Sequence, residues 1–360
     1  MIKKTLLLLF TLCFFTVQSQ NSKKPNIIMM IGDGMGLSQI SSGMYSNNNY
    51  TSLERSKYVG LIKTHSSNRL ITDSAAAGTA MSSGVKTKNT VVGMDDNYKP
   101  VKNILEICKD LGYSTGIVVT STIVHATPAS YYSKVKSRYQ YEDISSQLAQ
   151  SDINFFVGGG EKYFNDRSDN RNLFSEMEDY FFATSIETYK NSNSDKIGYL
   201  TSYDDPTEKH KGREPSLPNL VEATIKKLEN LDKPFFLLIE GAQIDWASHD
   251  NDPEHMISEM IEFDNTIKKV FDFIENDGNT LVVITADHET GGVAITGGDL
   301  LKSKVKNKYV SGSHTATMVP VFSSGYKAHN FKGVYDNTEI FNKLFEIVNQ
   351  WKNFYLQLFF

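Results

Sequence analysis

Short apolar runs rich in Ile and Val alternate along this chain with longer amphipathic segments, and this alternation restricts the possible folds most strongly. The apolar runs are predicted to be buried strands at residues 26–31, 115–119, 155–157, 235–239, 281–285 and 319–322. Apolar residues at helical spacing predict helices at residues 218–231, 253–275 and 338–348. The alternation is typical of an α/β fold, a three-layer sandwich in which helices cover both faces of a mostly parallel central sheet.

The composition of the 360 residues is that of an ordinary globular protein, with 40% apolar and 22% charged residues. No repeat, low-complexity tract or flexible linker divides the chain, so residues 20–360 are predicted to form a single domain. The formal net charge is −5 and no long basic run occurs, which argues against a nucleic-acid partner and a polybasic membrane patch. Any anionic substrate must therefore be bound by a local site.

Residues 1–19 are typical of a secretory signal peptide, because Lys3 and Lys4 precede an apolar run at residues 6–17. This run is shorter than the about 20 apolar residues that a membrane-spanning helix needs, so stable membrane insertion is not expected. Cleavage near Ser19 is predicted to release the protein into the periplasm or the medium. Only Cys108 would then remain, so no intramolecular disulfide can form, and its helical spacing with apolar neighbours predicts that it is buried.

Acidic residues and histidines follow several of the predicted strands. Ligands of parallel sheets bind at the carboxyl ends of the strands, so these residues are candidates for a site. Asp33 follows the first strand between two glycines, in a pattern that is not the dinucleotide-binding fingerprint. Asp287 and His288 follow strand 281–285, and His314 precedes strand 319–322. Buried carboxylates and imidazoles at such positions need solvent, a partner or a metal ion.

The segment after strand 235–239 contains three further candidates. Glu240 follows the strand directly, and Asp245 and His249 are spaced i and i+4 on a predicted helix. This spacing puts both side chains on one face, where they can bind one metal ion. A solvent-facing ion pair is the alternative interpretation.

A possible nucleophile lies where Asp73 and Ser74 precede a run of small, helix-forming residues. At a helix N-terminus, unpaired N–H groups and the helix dipole would suit a hydroxyl that attacks a phosphate. A capping serine without chemistry is the alternative. Downstream, His125, Thr127 and Arg138 complete the set, and a guanidinium can bind two phosphate oxygens at once.

The remaining histidines show no such pattern. His210 lies in a charged segment and is predicted to be a surface residue, and His65, His255 and His329 have no partner at ligand spacing. Clustered metal ions and a serine, by contrast, would together perform phosphoryl transfer.

Taken in order over residues 33–314, these motifs resemble the alkaline phosphatase family. The resemblance rests on Asp33, Asp73, Ser74, His125, Thr127, Arg138, Glu240, Asp245, His249, Asp287, His288 and His314. It implies the fold of that family and an enzyme that hydrolyses phosphate monoesters to an alcohol and inorganic phosphate. The reaction would pass through a phosphoserine on Ser74, with two zinc ions and one magnesium ion as cofactors.

The resemblance also implies a role for each residue. The ligands of one zinc ion would be Asp245, His249 and His314, and those of the second would be Asp33, Asp287 and His288. The ligands of magnesium would be Asp33, Thr127 and Glu240, whose hard oxygens suit this ion, with His125 as a possible further ligand. Arg138 would bind the phosphate, and Asp73 would contact the residues of the site without binding the metal ions or the phosphate itself.

Two departures from the family pattern carry further expectations. Trp246 stands where some bacterial members have lysine, which predicts a changed affinity for phosphate. His125 stands where they have aspartate, so the third site could hold an ion other than magnesium. Only 25 residues separate His288 from His314, so the crown insertion that caps the dimer in several relatives is short. We therefore expect a weak homodimer or a monomer with an open site.

Two other functions remain as alternatives. A phosphodiesterase or sulfatase of the same superfamily would use similar metal ligands, although Ser74 is followed by alanines and not by the x-Pro-x-Arg pattern of sulfatases. A phosphate-binding protein without turnover would use the same oxygens and imidazoles, but it has no need of a serine beside them.

Overall fold

The computed structural model describes residues 23–358, and the predicted signal peptide, residues 1–19, lies outside the described residues. A ten-stranded sheet forms the centre of the molecule. Its strands, together with those of two small two-stranded sheets, are β1 (Asn26–Gly32), β2 (Tyr58–Lys63), β3 (Ser114–Thr122), β4 (Phe155–Gly159), β5 (Phe181–Ala183), β6 (Ile197–Leu200), β7 (Phe235–Gly241), β8 (Thr280–Thr285), β9 (Glu289–Thr290), β10 (Ala294–Asp299), β11 (Lys304–Lys308), β12 (His314–Thr315), β13 (Val319–Gly325) and β14 (Gly333–Asp336).

The central sheet is parallel except at one strand. Its order is β14-β2-β13-β8-β1-β7-β3-β4-β6-β5, and β13 runs antiparallel to both of its neighbours. In the middle of the sheet β1 pairs with β7 and β8, so that Ile28 lies beside Leu237 on one side and Val282 on the other. The predicted mostly parallel sheet is thus confirmed.

Helices cover the sheet in two layers. They are α1 (Leu37–Ser46), α2 (Ser74–Ser83), α3 (Ile104–Asp110), α4 (Ala126–Ala129), α5 (Tyr141–Ser151), α6 (Lys162–Asn165), α7 (Leu173–Glu176), α8 (Ile186–Asn191), α9 (Leu217–Asn230), α10 (Gln243–His249), α11 (Pro253–Asp277) and α12 (Thr338–Leu358). Helices α1, α9 and α11 pack together in one layer, and α2, α3 and α12 pack together in the other. The three-layer α/β sandwich predicted from the sequence is confirmed. None of the helices between residues 23 and 358 is both long and apolar enough to span a bilayer.

The core lies between the sheet and these helices. Strand β1 is inaccessible to solvent from Ile27 to Ile31, as expected of a strand covered on both faces. Cys108 is fully buried on α3, as predicted. This helix begins after Asn103, whose side chain accepts a hydrogen bond from the Glu106 amide and so caps it.

The sequence pattern identified the six inner strands of the central sheet and missed the four at its two sides. All six predicted strands are present, and each is longer by one to four residues than its apolar run. Strands β2 and β14, at one side of the sheet, were not predicted, since β2 mixes buried and exposed positions and β14 has no buried residue. The short strands β5 and β6 at the opposite side were not predicted either, because runs of three and four residues give too short a pattern.

The reversed direction of β13 determines where the chain returns to the sheet. The carboxyl ends of parallel strands meet at one edge, and a reversed strand begins at that same edge. His314, which lies just before β13, therefore reaches the edge where β1, β7 and β8 end.

Candidate active site

The candidate residues converge at the carboxyl edge of the sheet. Asp33 follows β1 directly, Glu240 lies near the end of β7, and Asp287 and His288 follow β8. Each of these four side chains is fully inaccessible to solvent. Three groups of potential metal ligands form here, each with ligand atoms within 4.8 Å of one another: Asp245, His249 and His314; Asp33, Asp245 and His288; Asp33, His125 and Glu240. Because the groups share Asp33 and Asp245, they form one continuous cluster.

In the first group, two imidazoles face one carboxylate. His249 Nε2 lies 3.4 Å from Asp245 Oδ2, and His314 Nε2 lies 3.5 Å from Asp245 Oδ1. The two Nε2 atoms are 3.0 Å apart. Each Nδ1 lies against a backbone carbonyl, that of Gly312 at 2.9 Å and that of Thr72 at 2.8 Å. A carbonyl only accepts, so each Nδ1 carries a hydrogen, and in the neutral rings the lone pairs of both Nε2 atoms point at a common centre.

The electrostatics of this group favour a positive charge. The hydrogen bond with Asp245 raises the pKa of His249 to about 9, whereas burial and the neighbouring His288 lower the pKa of His314 to about 4. Although burial opposes ionisation of Asp245, its contact with His249 and the nearby imidazoles bring its pKa below the usual range. A divalent cation at this position would be bound by one carboxylate and two imidazoles, a donor set that suits zinc.

The second group surrounds His288. Its Nδ1 lies 3.2 Å from the Thr290 hydroxyl, which itself donates to Asp245, so Nδ1 is again the protonated nitrogen. Its Nε2 lies 3.1 Å from Asp287 Oδ2, 3.5 Å from Asp33 Oδ1 and 3.4 Å from Ser74 Oγ. A lone pair surrounded by carboxylate oxygens is repelled by them, unless a cation lies between them.

Burial of several carboxylates makes their joint ionisation unfavourable. Burial and the charges of Asp287, Asp245 and Glu240 raise the pKa of Asp33 well above its ordinary value. Neither carboxylate oxygen of Asp33 has a hydrogen-bond partner among the described residues. Orphaned buried oxygens of this kind are typical of a site that binds a metal ion.

The third group is rich in oxygen. Glu240 Oε2 accepts a hydrogen bond from Ser121 at 3.2 Å, while Glu240 Oε1 and Thr127 Oγ1 have no such partner within the described part of the chain. Burial raises the pKa of Glu240 to about 8. His125 Nε2 lies 3.3 Å from Nη2 of Arg138 and must accept its hydrogen, so Nδ1 carries the proton of the neutral ring. In this tautomer His125 flanks the group and offers it no lone pair.

Ser74 is the first residue of α2 and is buried. The capping side chain is Asp73, whose Oδ1 accepts a hydrogen bond from Ala76 N at 3.0 Å. The alternative of a capping serine is therefore wrong. Because Asp73 caps the helix, Ser74 Oγ is free to face His288, 3.4 Å away.

Arg138 lies beside this serine and is held in place from two sides. Its Nη1 lies 3.4 Å from Asp73 Oδ2, and its Nη2 lies 3.3 Å from His125. Trp246 packs edge-on against His125, with 5.7 Å between ring centroids. The structure thus brings all the predicted site residues together at one edge of the sheet.

Thr290 is a site residue that the sequence interpretation missed. Its hydroxyl links Asp245 to His288 and so connects the first two groups. It lies two residues after His288, the spacing that puts two side chains on the same side of an extended segment. This spacing could have identified Thr290 from the sequence. The contacts made by the carbonyls of Gly312 and Thr72 could not be identified in this way, because every residue has a backbone carbonyl.

Comparison with known proteins identifies the family. The family model described as "Alkaline phosphatase" matches residues 24–310, which is most of the chain. This chain belongs to the alkaline phosphatase family. The resemblance inferred from the motifs is thereby confirmed.

Individual relatives in the alkaline phosphatase family agree with this assignment. Alkaline phosphatase 4 of Bacillus subtilis (strain 168) is 39% identical over 75% of this chain and 62% of its own length. The structure of alkaline phosphatase from the Antarctic bacterium TAB5 superposes with a TM-score of 0.86 at 37% identity, covering 91% of this chain and 98% of that one. A histidine-to-aspartate variant of the TAB5 enzyme, with a TM-score of 0.86 and 36% identity over 91% of this chain and 99% of its own, was solved with magnesium bound in its M3 site. This chain spans about 62% of the length of the two Bacillus subtilis alkaline phosphatases, 4 and 3, that it matches.

Proposed function

We propose that this alkaline phosphatase family member is a metal-dependent enzyme that hydrolyses phosphate monoesters to an alcohol and inorganic phosphate. The observation that carries the proposal is the position of Ser74, whose hydroxyl is buried at the N-terminus of α2, 3.4 Å from His288 Nε2. A phosphate-binding protein has no need of a hydroxyl there. A hydroxyl at this point would face the phosphorus of a bound ester.

The donor atoms fit two zinc ions and one magnesium ion. We assign one zinc ion to Asp245, His249 and His314, and the second to Asp33, Asp287 and His288. The oxygens of Asp33, Thr127 and Glu240 suit magnesium. The unpartnered oxygens of Asp33 and the inward lone pairs of the imidazoles support this assignment. When bound, such ions lower the pKa of hydroxyl groups and of water and stabilise a departing oxygen.

The chain's own residues perform the remaining tasks. Arg138, held by Asp73, is positioned to bind two oxygens of the phosphate and to orient the phosphorus toward Ser74. Ser74 Oγ forms a bond to phosphorus while the bond from phosphorus to the ester oxygen breaks, and the alcohol leaves with a proton. Water then attacks the phosphoserine, the bond from phosphorus to Ser74 Oγ breaks, and Ser74 recovers its proton. The products are an alcohol and inorganic phosphate.

Substitution of the nucleophile tests this reaction. Ser74→Ala should remove nearly all turnover of an aryl phosphate monoester and all phosphoserine formation. Ser83→Ala is a matched control, since Ser83 lies in the same helix and its hydroxyl bonds only to the Thr79 carbonyl. Rapid turnover by Ser74→Ala would contradict the assignment. Faster turnover of a phosphodiester or a sulfate ester than of the monoester by the wild-type enzyme would favour the alternative functions.

We further propose that the protein is exported. The support is the signal-peptide pattern of residues 1–19, which predicts a periplasmic or secreted mature chain that begins near residue 20. The intact mass of the exported protein measures the cleavage directly. A mass that includes the first nineteen residues would overturn this proposal.

A further inference from the structure

A second cluster of metal-ligating side chains lies outside the candidate active site. The ligand atoms of Glu208, His210 and His255 are within 4.8 Å of one another. Glu208 and His210 lie in the segment before α9, and His255 lies in the first turn of α11. The sequence interpretation placed His210 at the surface and gave His255 no partner. Instead, the two imidazole rings lie 5.0 Å apart, and the side chain of His255 is buried.

The hydrogen-bond partners of His255 determine which of its nitrogens can bind a metal. Its Nε2 lies 3.2 Å from Gln243 Oε1 and 3.3 Å from Glu259 Oε1. The orientation of the Gln243 amide is fixed, because its Nε2 donates to the carbonyls of Thr120 and Pro206. Two acceptors therefore face His255 Nε2, which must carry the hydrogen. In the neutral ring the lone pair is then on Nδ1, the arrangement common in metal-binding histidines.

His210 and Glu208 supply two further donors. His210 Nδ1 is buried and has no hydrogen-bond partner among the described residues. His210 Nε2 lies 3.3 Å from Glu208 Oε2, which also receives Lys211 Nζ at 2.7 Å. Both contacts are to Oε2, so Oε1 of Glu208 can bind a metal ion.

The nearby carboxylate of Glu259 is not the partner that His210 Nδ1 lacks. The carboxylate of Glu259 is already bound by the buried guanidinium of Arg213, with 3.0 Å between Glu259 Oε1 and Nη1. The backbone N–H of Lys209 donates to the same oxygen at 2.8 Å. Glu259 is thus occupied by other partners and orients His255, while the two imidazoles and Glu208 remain as donors.

We propose that Glu208, His210 and His255 bind one further divalent cation of the zinc class. Two imidazoles and one carboxylate are a donor set that zinc accepts, and solvent can complete the coordination because Glu208 is partly exposed. The cation would connect the 208–210 segment to α11. It would also brace Gln243, which lies two residues before Asp245 on α10. The site is structural, and it does not depend on the proposed phosphatase activity.

Zinc binding by matched variants tests the proposal. Metal-free wild type, His210→Gln and His329→Gln are brought to equilibrium by dialysis over a series of free Zn²⁺ concentrations, and bound zinc per chain is measured. His329 is an exposed histidine outside all the metal-ligating groups of the described chain, so His329→Gln is the control. We expect His210→Gln to bind one zinc ion fewer at saturation than wild type and His329→Gln. Equal saturation of all three proteins would overturn the proposal.

A second variant guards against misfolding. Glu208→Gln changes a partly exposed side chain and keeps its volume, so the fold should tolerate it. We expect Glu208→Gln to bind the same additional zinc at least about tenfold more weakly than wild type, with circular dichroism spectra unchanged. Unchanged affinity in a folded Glu208→Gln variant would also contradict the assigned donors.

Discussion

At the residue scale, the orientation of each imidazole follows from what its second nitrogen contacts. His249 and His314 each direct Nδ1 at a backbone carbonyl, and His288 directs Nδ1 at the Thr290 hydroxyl. All three Nε2 lone pairs are thereby turned toward carboxylate oxygens. These histidines could be identified from the sequence, because His288 follows a predicted strand, His314 precedes one and His249 is spaced i+4 from Asp245. Their orientations could not, because the carbonyls that set them belong to residues of any type.

Arg138 provides a prediction at this scale. Arg138→Lys keeps the positive charge but loses the fork that binds two phosphate oxygens, so inorganic phosphate should inhibit the variant more weakly. Loss of one charge-assisted hydrogen bond costs about 1.5–3 kcal/mol, which corresponds to roughly 10- to 100-fold weaker binding. Competitive inhibition of monoester turnover measures this change. Arg69→Lys, at an exposed arginine, is the control, and an inhibition constant equal to that of wild type for Arg138→Lys would contradict the role.

At the element scale, one reversed strand completes the site. Strand β13 runs against its neighbours, and so the segment that carries His314 enters at the edge where β1 and β8 end. The apolar pattern of residues 319–322 predicted a strand and contained no information on its direction. The motifs predicted that the ligands lie near strand ends. Only the order and direction of the strands explain why they meet.

The short insertion between His288 and His314 leads to a second prediction at this scale. Its 25 residues form β9, a hairpin of β10 and β11, and the approach to β12. A stable dimer interface buries about 1,200–2,000 Å² in total, and a segment of this size supplies little of that area. We expect a monomer or a weak homodimer at low protein concentration. Light scattering measures this directly, and a tight dimer at nanomolar concentration would contradict the expectation.

At the scale of the whole molecule, the acidic charge of the chain is compatible with the anionic substrate that we propose. The formal net charge is −5, but Asp33, Asp245 and Asp287 are gathered where cations would bind. Some of the carboxylates that make the chain acidic would therefore, with bound cations, build a region suited to a phosphate. Composition predicted only that any such site must be local, because it contains no information on which carboxylates meet in the fold.

The metal-free protein should lose stability as pH rises from about 7 to about 9. Burial raises the pKa of Glu240 to about 8, and the hydrogen bond to Asp245 raises that of His249 to about 9. The folded state thus holds protons that the unfolded chain releases at lower pH, so unfolding becomes easier as these groups deprotonate. The pKa of His314 is lowered to about 4 in the folded state. This residue therefore makes stability increase with pH, but only below its unfolded pKa of about 6.5.

Urea unfolding of chelator-treated protein measures this dependence. The free energy of unfolding should fall across that range, and the metal-loaded protein, whose ligands are neutralised by cations, should show a smaller change. A metal-free protein whose stability is constant or increases over the same range would contradict the electrostatic description of the site.

Ser74 is proposed to carry the phosphoryl group during turnover, and trapping of the phosphorylated intermediate detects this directly. Metal-loaded enzyme is mixed with an aryl phosphate monoester, quenched in acid and digested, and the peptides are analysed by mass spectrometry. We expect phosphate on Ser74 in the wild type and in Ser83→Ala, and none in Ser74→Ala. Phosphate on another residue, or sustained turnover by Ser74→Ala, would contradict it.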